Sequence, residues 1–373
     1  MTLPSEKHLS QHEAFIDHTI NIDQIDFNNE FDKKLPINTS LAHSSYSFFQ
    51  ENKSAFVIAA YCFLWFFSAI FSSNTGKAIL NIFNYPVTLS FSHFISVAIF
   101  SVLNGIFNPQ LLNIKVSFSD LKKVAVISTN QVVGHIIGSI AVSYAPVSLV
   151  HTIKGITPLF TIIACRVLFN TVYSKRVYIS LVPLIVGIGL TSFKADGLTT
   201  IGFMFCLMSS LTCAIGGIVN KYVINTLSSP KTPSTSAKYK VMYHASIVSI
   251  IFVFPIWIWS EGHILFPQIT QAAFDTLKNN GDTSIEIKKH NWSYLLILFI
   301  LNNIFCTCQA FSAISIISIA TPVTFSIASL LKRIFVIIAA IVWFKQKISS
   351  LQAFGIVIFM VGLFMYGTSK KTK

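Results

Sequence analysis

Along this chain, long apolar stretches alternate with short polar ones. The apolar runs lie near 55–73, 86–104, 124–142, 147–169, 177–193, 199–219, 241–259, 293–313, 320–344 and 351–367. Most approach the ~17–25 residues that a tilted helix needs to cross a hydrocarbon core, so the pattern predicts ten membrane-spanning helices. Residues 1–53 break the pattern. Stretches such as 21–32 carry neither helical nor strand periodicity, which predicts a disordered, acidic, cytosolic tail.

Composition removes the soluble alternative. Apolar residues make up 53% of the chain and charged residues 11%, with a mean hydropathy of +0.65. A soluble globular domain carries far more charge. The tail holds four lysines against eight acids, so the whole-chain net charge of +13 leaves +17 on the membrane part. That excess gathers on one side of the predicted spans: Lys115, Lys122 and Lys123 before the third, Lys175 and Arg176 before the fifth, Lys221, Lys231, Lys238 and Lys240 before the seventh, and Lys370, Lys371 and Lys373 at the end. Basic loops stay in the cytosol, so both termini are expected there. The bilayer is the partner this charge serves, and no nucleic acid is expected.

Lys370-Lys371-Thr372-Lys373 has the form of a dilysine retrieval signal read by coat proteins, which places the protein in the endoplasmic reticulum or Golgi membrane. The plainer alternative is a positive-inside anchor after the tenth span. No signal or transit peptide is evident, and the first span is expected to act as an uncleaved signal. All six cysteines (Cys62, Cys165, Cys206, Cys213, Cys306 and Cys308) fall within spans, which predicts helix packing rather than disulfides or metal binding.

Shifting the chain against itself by 175 residues aligns 142–189 with 317–364 without a gap. Identical pairs include Ser143/Ser318, Ala145/Ala320, Phe160/Phe335, Ala164/Ala339, Phe169/Phe344 and Gly187/Gly362. Spans four and five thus correspond to nine and ten. Two halves of five spans are predicted, 54–198 and 199–373, the second inverted because five is odd. The fold class is an all-α polytopic membrane protein of ten helices in two inverted repeats, a common ground plan of secondary transporters with a site at the midplane between halves.

The candidate chemistry lies at that depth. Lys332 and Arg333 sit mid-way along the ninth span, and Lys154 sits mid-way along the equivalent fourth. A basic side chain at the centre of a membrane helix costs about 2.5–3.5 kcal/mol even on lenient scales, so it is expected to face a cavity and a ligand. No acidic residue is expected inside any span, which leaves the counter-charge to the ligand. Two lysines and an arginine suit a compact dianion such as a phosphate ester. His135 can return to the same depth across the turn at Ala145-Pro146 and add a further donor. Lys77 and Lys221 end the equivalent first and sixth spans, as gates or as interfacial anchors. His93, His151 and His244 are expected to be helix-packing hydrogen bonders, Arg166 to snorkel, and Gly216-Gly217 to permit close packing. There is no HExxH, GxSxG or GxxxxGK[ST], so neither catalysis nor a cofactor is expected. Without a membrane carboxylate, exchange of one anion for another is simpler than proton-driven pumping.

Two signatures then resemble a known family. Gly134-His135, Val142-Ser143-Tyr144-Ala145-Pro146-Val147-Ser148 and His151-Thr152-Ile153-Lys154-Gly155-Ile156-Thr157-Pro158-Leu159-Phe160 form one; Thr321-Pro322-Val323-Thr324 with Lys332-Arg333 forms the other. Both are similar to those of the triose-phosphate/phosphate translocators of the drug/metabolite transporter superfamily. The resemblance implies that His135, Lys154, Lys332 and Arg333 bind the phosphate moiety, as in plastid members. It departs at Gly138, where the family has threonine, at Gln309, at the spacing of a phosphate-binding tyrosine, and at Phe325, where it has histidine. With the dilysine-like tail, these departures resemble the fungal secretory-pathway branch. The resemblance implies an antiporter exchanging a phosphorylated C3-type metabolite (triose phosphate, phosphoglycerate or phosphoenolpyruvate) for inorganic phosphate. A nucleotide-sugar transporter and a non-transporting regulator of vesicle traffic are the alternatives.

Overall fold

A computed structural model describes the backbone of residues 42–107, 118–193, 195–227, 234–267, 292–319 and 322–369. Everything regular in them is helical: α1 (Ala42–Ile82), α2 (Pro86–Phe107), α3 (Phe118–Tyr144), α4 (Val147–Ile153), α5 (Thr157–Phe169), α6 (Lys175–Ser192), α7 (Thr200–Leu227), α8 (Ser234–Trp257), α9 (Trp292–Ile319), α10 (Pro322–Trp343) and α11 (Ser350–Ser369). Among the described residues, nine helical segments are long and apolar enough to cross a membrane. The 22-residue α10, with Lys332 and Arg333 at its middle, makes the tenth. The fourth span is α4 and α5 together. Helix α1 begins at Ala42, inside the stretch expected to be tail. Most of that tail, the dilysine Lys370-Lys371 and Asn291 lie outside the described residues.

The helices pair as a two-fold relation between the halves requires. The most extensive pairings are α6 with α11 and α1 with α9, the latter matched by its counterpart α7 with α3. Helix α8 crosses α2; α8 against α3 is matched by α9 against α2, and α10 against α1 by α5 against α7. The α6–α11 crossing shows how the repeated glycines act. A Cβ on Gly187 would stand 2.4 Å from the Phe359 nitrogen, and one on Gly362 would stand 2.5 Å from the Leu184 nitrogen. Each position differs from its partner's counterpart by the same 175 residues. Such backbone-to-backbone contact needs glycine on both sides. Gly216 likewise lets Asn130 approach α7, whereas Gly217 faces open space.

Two boundary expectations are corrected. The first span runs from Phe56 to Ile82, through Asn74, Thr75 and Lys77, because α9 supplies partners for its polar turn: the Asn302 amide donates to the Ser72 carbonyl at 2.7 Å and to Thr75 Oγ1 at 2.8 Å. The seventh span runs from Met242 to Pro267 and so contains Glu261, contrary to the expectation of no acid inside a span. Glu261 sits in a π-helical turn, Ile258–Gly262, and is buried. Its carboxylate accepts the Val87 N–H (2.9 Å), the Thr88 N–H (2.6 Å) and the Thr88 hydroxyl (2.6 Å). A helix begins with unpaired N–H groups and a positive dipole end, so an acid is stable there despite its depth.

Candidate functional site

The site is built around a break in the fourth span. Pro158, at the start of α5, has no N–H, so the Lys154 carbonyl four residues earlier loses its α-helical donor. The chain responds with a 3-10 turn over Lys154–Ile156. Gly155 then leaves room for Phe359 of α11, which is fully buried; a Cβ there would stand 2.1 Å from the Phe359 ring. The Lys154 carbonyl accepts the Thr157 N–H within the turn and is also reached from the other half. Arg333 Nη1 donates to it at 2.6 Å, beside the Thr157 hydroxyl at 2.5 Å.

The break thereby brings Lys154 to Lys332 and Arg333, close enough for the three charges to act on one another. Among the described residues no carboxylate pairs with any of them; neutral groups hold them instead. Lys332 Nζ stands 4.2 Å over the Trp65 ring. Lys154 Nζ lies 3.3 Å from where a Gly138 Cβ would be, with Ser209 Oγ at 3.5 Å from the same point. Glycine at 138 therefore makes the space that the ammonium occupies.

His135 joins this cluster. It is exposed although its ring is flanked by Phe94 at 5.0 Å and His93 at 6.1 Å. Nine residues from the exposed Val126 is about 180° around α3, so His135 lies on the opposite face of that helix. Cys213 of α7 is exposed.

The remaining candidates separate from the cluster. Lys77 donates to the Val142 and Ser143 carbonyls at 2.7 and 3.2 Å, capping the end of α3. Gln309 is half-buried in α9 without a hydrogen bond to the cations. Lys221 lies in α7, with its side chain outside the described residues. His93 Nε2 meets Asn302 Oδ1 at 2.5 Å and His151 Nε2 meets Ser73 Oγ at 3.2 Å, both as packing hydrogen bonders. Arg166, near the end of α5, is exposed. All six cysteines are free. Sequence reasoning missed Trp65, for which no local signal exists, and the helix break, for which Pro158 was the signal.

Ten spans closing on three cations that meet no carboxylate among the described residues have the form of a membrane carrier. The profile of the Triose-phosphate Transporter family matches residues 56–367, and the chain belongs to that family. It is 34% identical over 316 residues to a presumptive transporter of Schizosaccharomyces pombe, covering 83% of this chain and 66% of that one. It is 23% identical to the chloroplastic triose phosphate/phosphate translocator of Solanum tuberosum (86% and 72% covered) and 22% identical to the chloroplastic phosphoenolpyruvate/phosphate translocator 1 of Oryza sativa (83% and 71%).

Proposed function

We propose that this protein is an antiporter that exchanges a phosphorylated C3-type metabolite for inorganic phosphate by alternating access. His135, Lys154, Lys332 and Arg333 bind the phosphoryl group. One observation carries the reading: three cations within the spans meet at the junction of the halves, held, among the described residues, by a ring face, a carbonyl and a glycine-made space. Neutral acceptors leave the positive charge uncompensated, and a dianion supplies what is missing. Arginine offers a planar fork to two oxygens, while the lysines add movable charge. An empty cationic cavity is costly to carry through an occluded state, so turnover requires an anion in each direction. The names of the plant relatives, triose phosphate/phosphate and phosphoenolpyruvate/phosphate translocators, support the same substrate class. We place the protein in the endoplasmic reticulum or Golgi membrane with both termini cytosolic, its dilysine tail read by coat proteins.

The test is phosphate uptake into proteoliposomes of the purified protein, preloaded with phosphate, triose phosphate, phosphoenolpyruvate or nothing. Uptake into loaded vesicles alone, abolished by Lys332→Ala with Arg333→Ala, is the expected result. Equal uptake into empty vesicles would rule out obligatory exchange, and no uptake under any loading would rule out the phosphate mechanism.

A further inference from the structure

Trp65 is only 3% exposed, so a substrate in the inner space does not reach it. Its ring nevertheless holds one of the three cations. Lys332 Nζ stands 4.2 Å from the ring centroid, within the range of a cation–π contact and away from bulk water. The ring itself is clamped. Phe325 stacks on it at 5.2 Å with an interplanar angle of 20°, and the buried Ile316 and Ala328 pack around it. Phe325 and Lys332 are seven residues apart on α10, two turns on one face, so α10 contributes both the clamp and the cation while α1 contributes the ring between them.

We propose that Trp65 is a positioning residue for anion binding: its ring face is the resident counter-charge of Lys332, and Phe325 fixes the plane of that face. An ammonium has three N–H groups in a tetrahedral array, so one directed at the ring leaves two for an anion. A lysine stem is flexible and loses much rotamer freedom when fixed. Trp65 removes that freedom before the anion arrives, which lowers the entropic cost of binding. Phenylalanine at 325 suits this task, since it stacks without offering a competing donor or acceptor to the ammonium.

The proposal rests on the anion-exchange reading, and the test separates the two. The full chain is reconstituted in lipid nanodiscs for inorganic phosphate binding, by calorimetry and tryptophan fluorescence, and in proteoliposomes for phosphate exchange. Wild type is expected to bind phosphate with a change in emission. Trp65→Phe, one of five tryptophans removed, loses that change while keeping exchange, with a small rise in KM. Trp65→Leu raises the KM for phosphate about tenfold at an unchanged maximal rate. In a Lys332→Gln background, Trp65→Leu adds nothing further. A wild-type KM in Trp65→Leu would overturn the proposal, as would an emission change that persists in Trp65→Phe or a tenfold loss that remains in the Lys332→Gln background. Should Trp65→Leu not reach the membrane, the Trp65→Phe emission comparison decides. Failure of the wild type to bind or exchange phosphate would overturn the exchange reading and this proposal with it.

Discussion

The fourth and ninth spans align residue for residue, yet one is broken and the other continuous. Helix α10 runs unbroken from Pro322 to Trp343, whereas its counterpart divides into α4 and α5 around Lys154–Ile156. The difference turns on one aligned position, at which the first half has Pro158 and the second has Arg333. Proline removes the α-helical donor of the Lys154 carbonyl, the Thr157 N–H takes its place in the 3-10 turn, and the arginine at the equivalent place adds a donor from the opposite half. An inverted repeat does not have to build its site from two copies of one group. Here the copies have diverged into an acceptor and a donor that bridge the halves.

The comparison breaks most severely at Gly155, which tolerates the 3-10 turn because Phe359 occupies its missing side chain. Gly155→Leu is expected to eliminate folded protein, measured by size-exclusion chromatography of a fluorescent fusion, and Gly155→Ala to be partly rescued by Phe359→Leu. Overpacking at a site with no space costs at least about 1–3 kcal/mol, and here the clash is with a fully buried ring. Next in size is loss of the cations. Arg333→Ala or Lys154→Ala lowers exchange roughly a hundredfold or more at normal abundance, as truncation of a desolvated charge contact does. Pro158→Ala sharpens the comparison by making the fourth span resemble the ninth. The helix closes, Arg333 loses its carbonyl, and the KM for phosphate rises roughly tenfold, the scale of one hydrogen bond to a charged group, while thermal stability holds or improves. The smallest effect belongs to Lys77→Met. It removes the cap on α3 and lowers the Tm by about 2–4 °C, the equivalent of roughly 1 kcal/mol, with KM unchanged. An altered KM would restore Lys77 to the role of a gate.

Much of this was legible in the chain. Ten spans follow from hydropathy, and the pairing of Gly187 with Gly362 under the 175-residue shift anticipated a seam that the folded protein makes by backbone contact. Lys154, Lys332 and Arg333 were conspicuous because isolated charge in an apolar segment needs a reason. What escaped notice depended on neighbours distant in sequence. The first span seemed to end at Ser73 because Asn74 and Thr75 are polar, and Asn302, more than two hundred residues away, donates to the Ser72 carbonyl and the Thr75 hydroxyl of that turn. Glu261 fell just beyond an apolar run, and its acceptance at depth rests on the start of α2. Trp65 was one aromatic among many in a chain with 34 phenylalanines, without any feature along its own helix to mark it.

The reciprocal contact of α6 and α11 has the form of an isologous interface. Gly187 meets Phe359 and Gly362 meets Leu184, so each side presents the same patch to the other. A surface of that kind is complementary to a copy of itself. Carrying both patches in one chain gives their pairing a fixed stoichiometry, where separate chains would depend on concentration. Within that pairing the two sides are unequal at one aligned position, with Pro158 on one and Arg333 on the other.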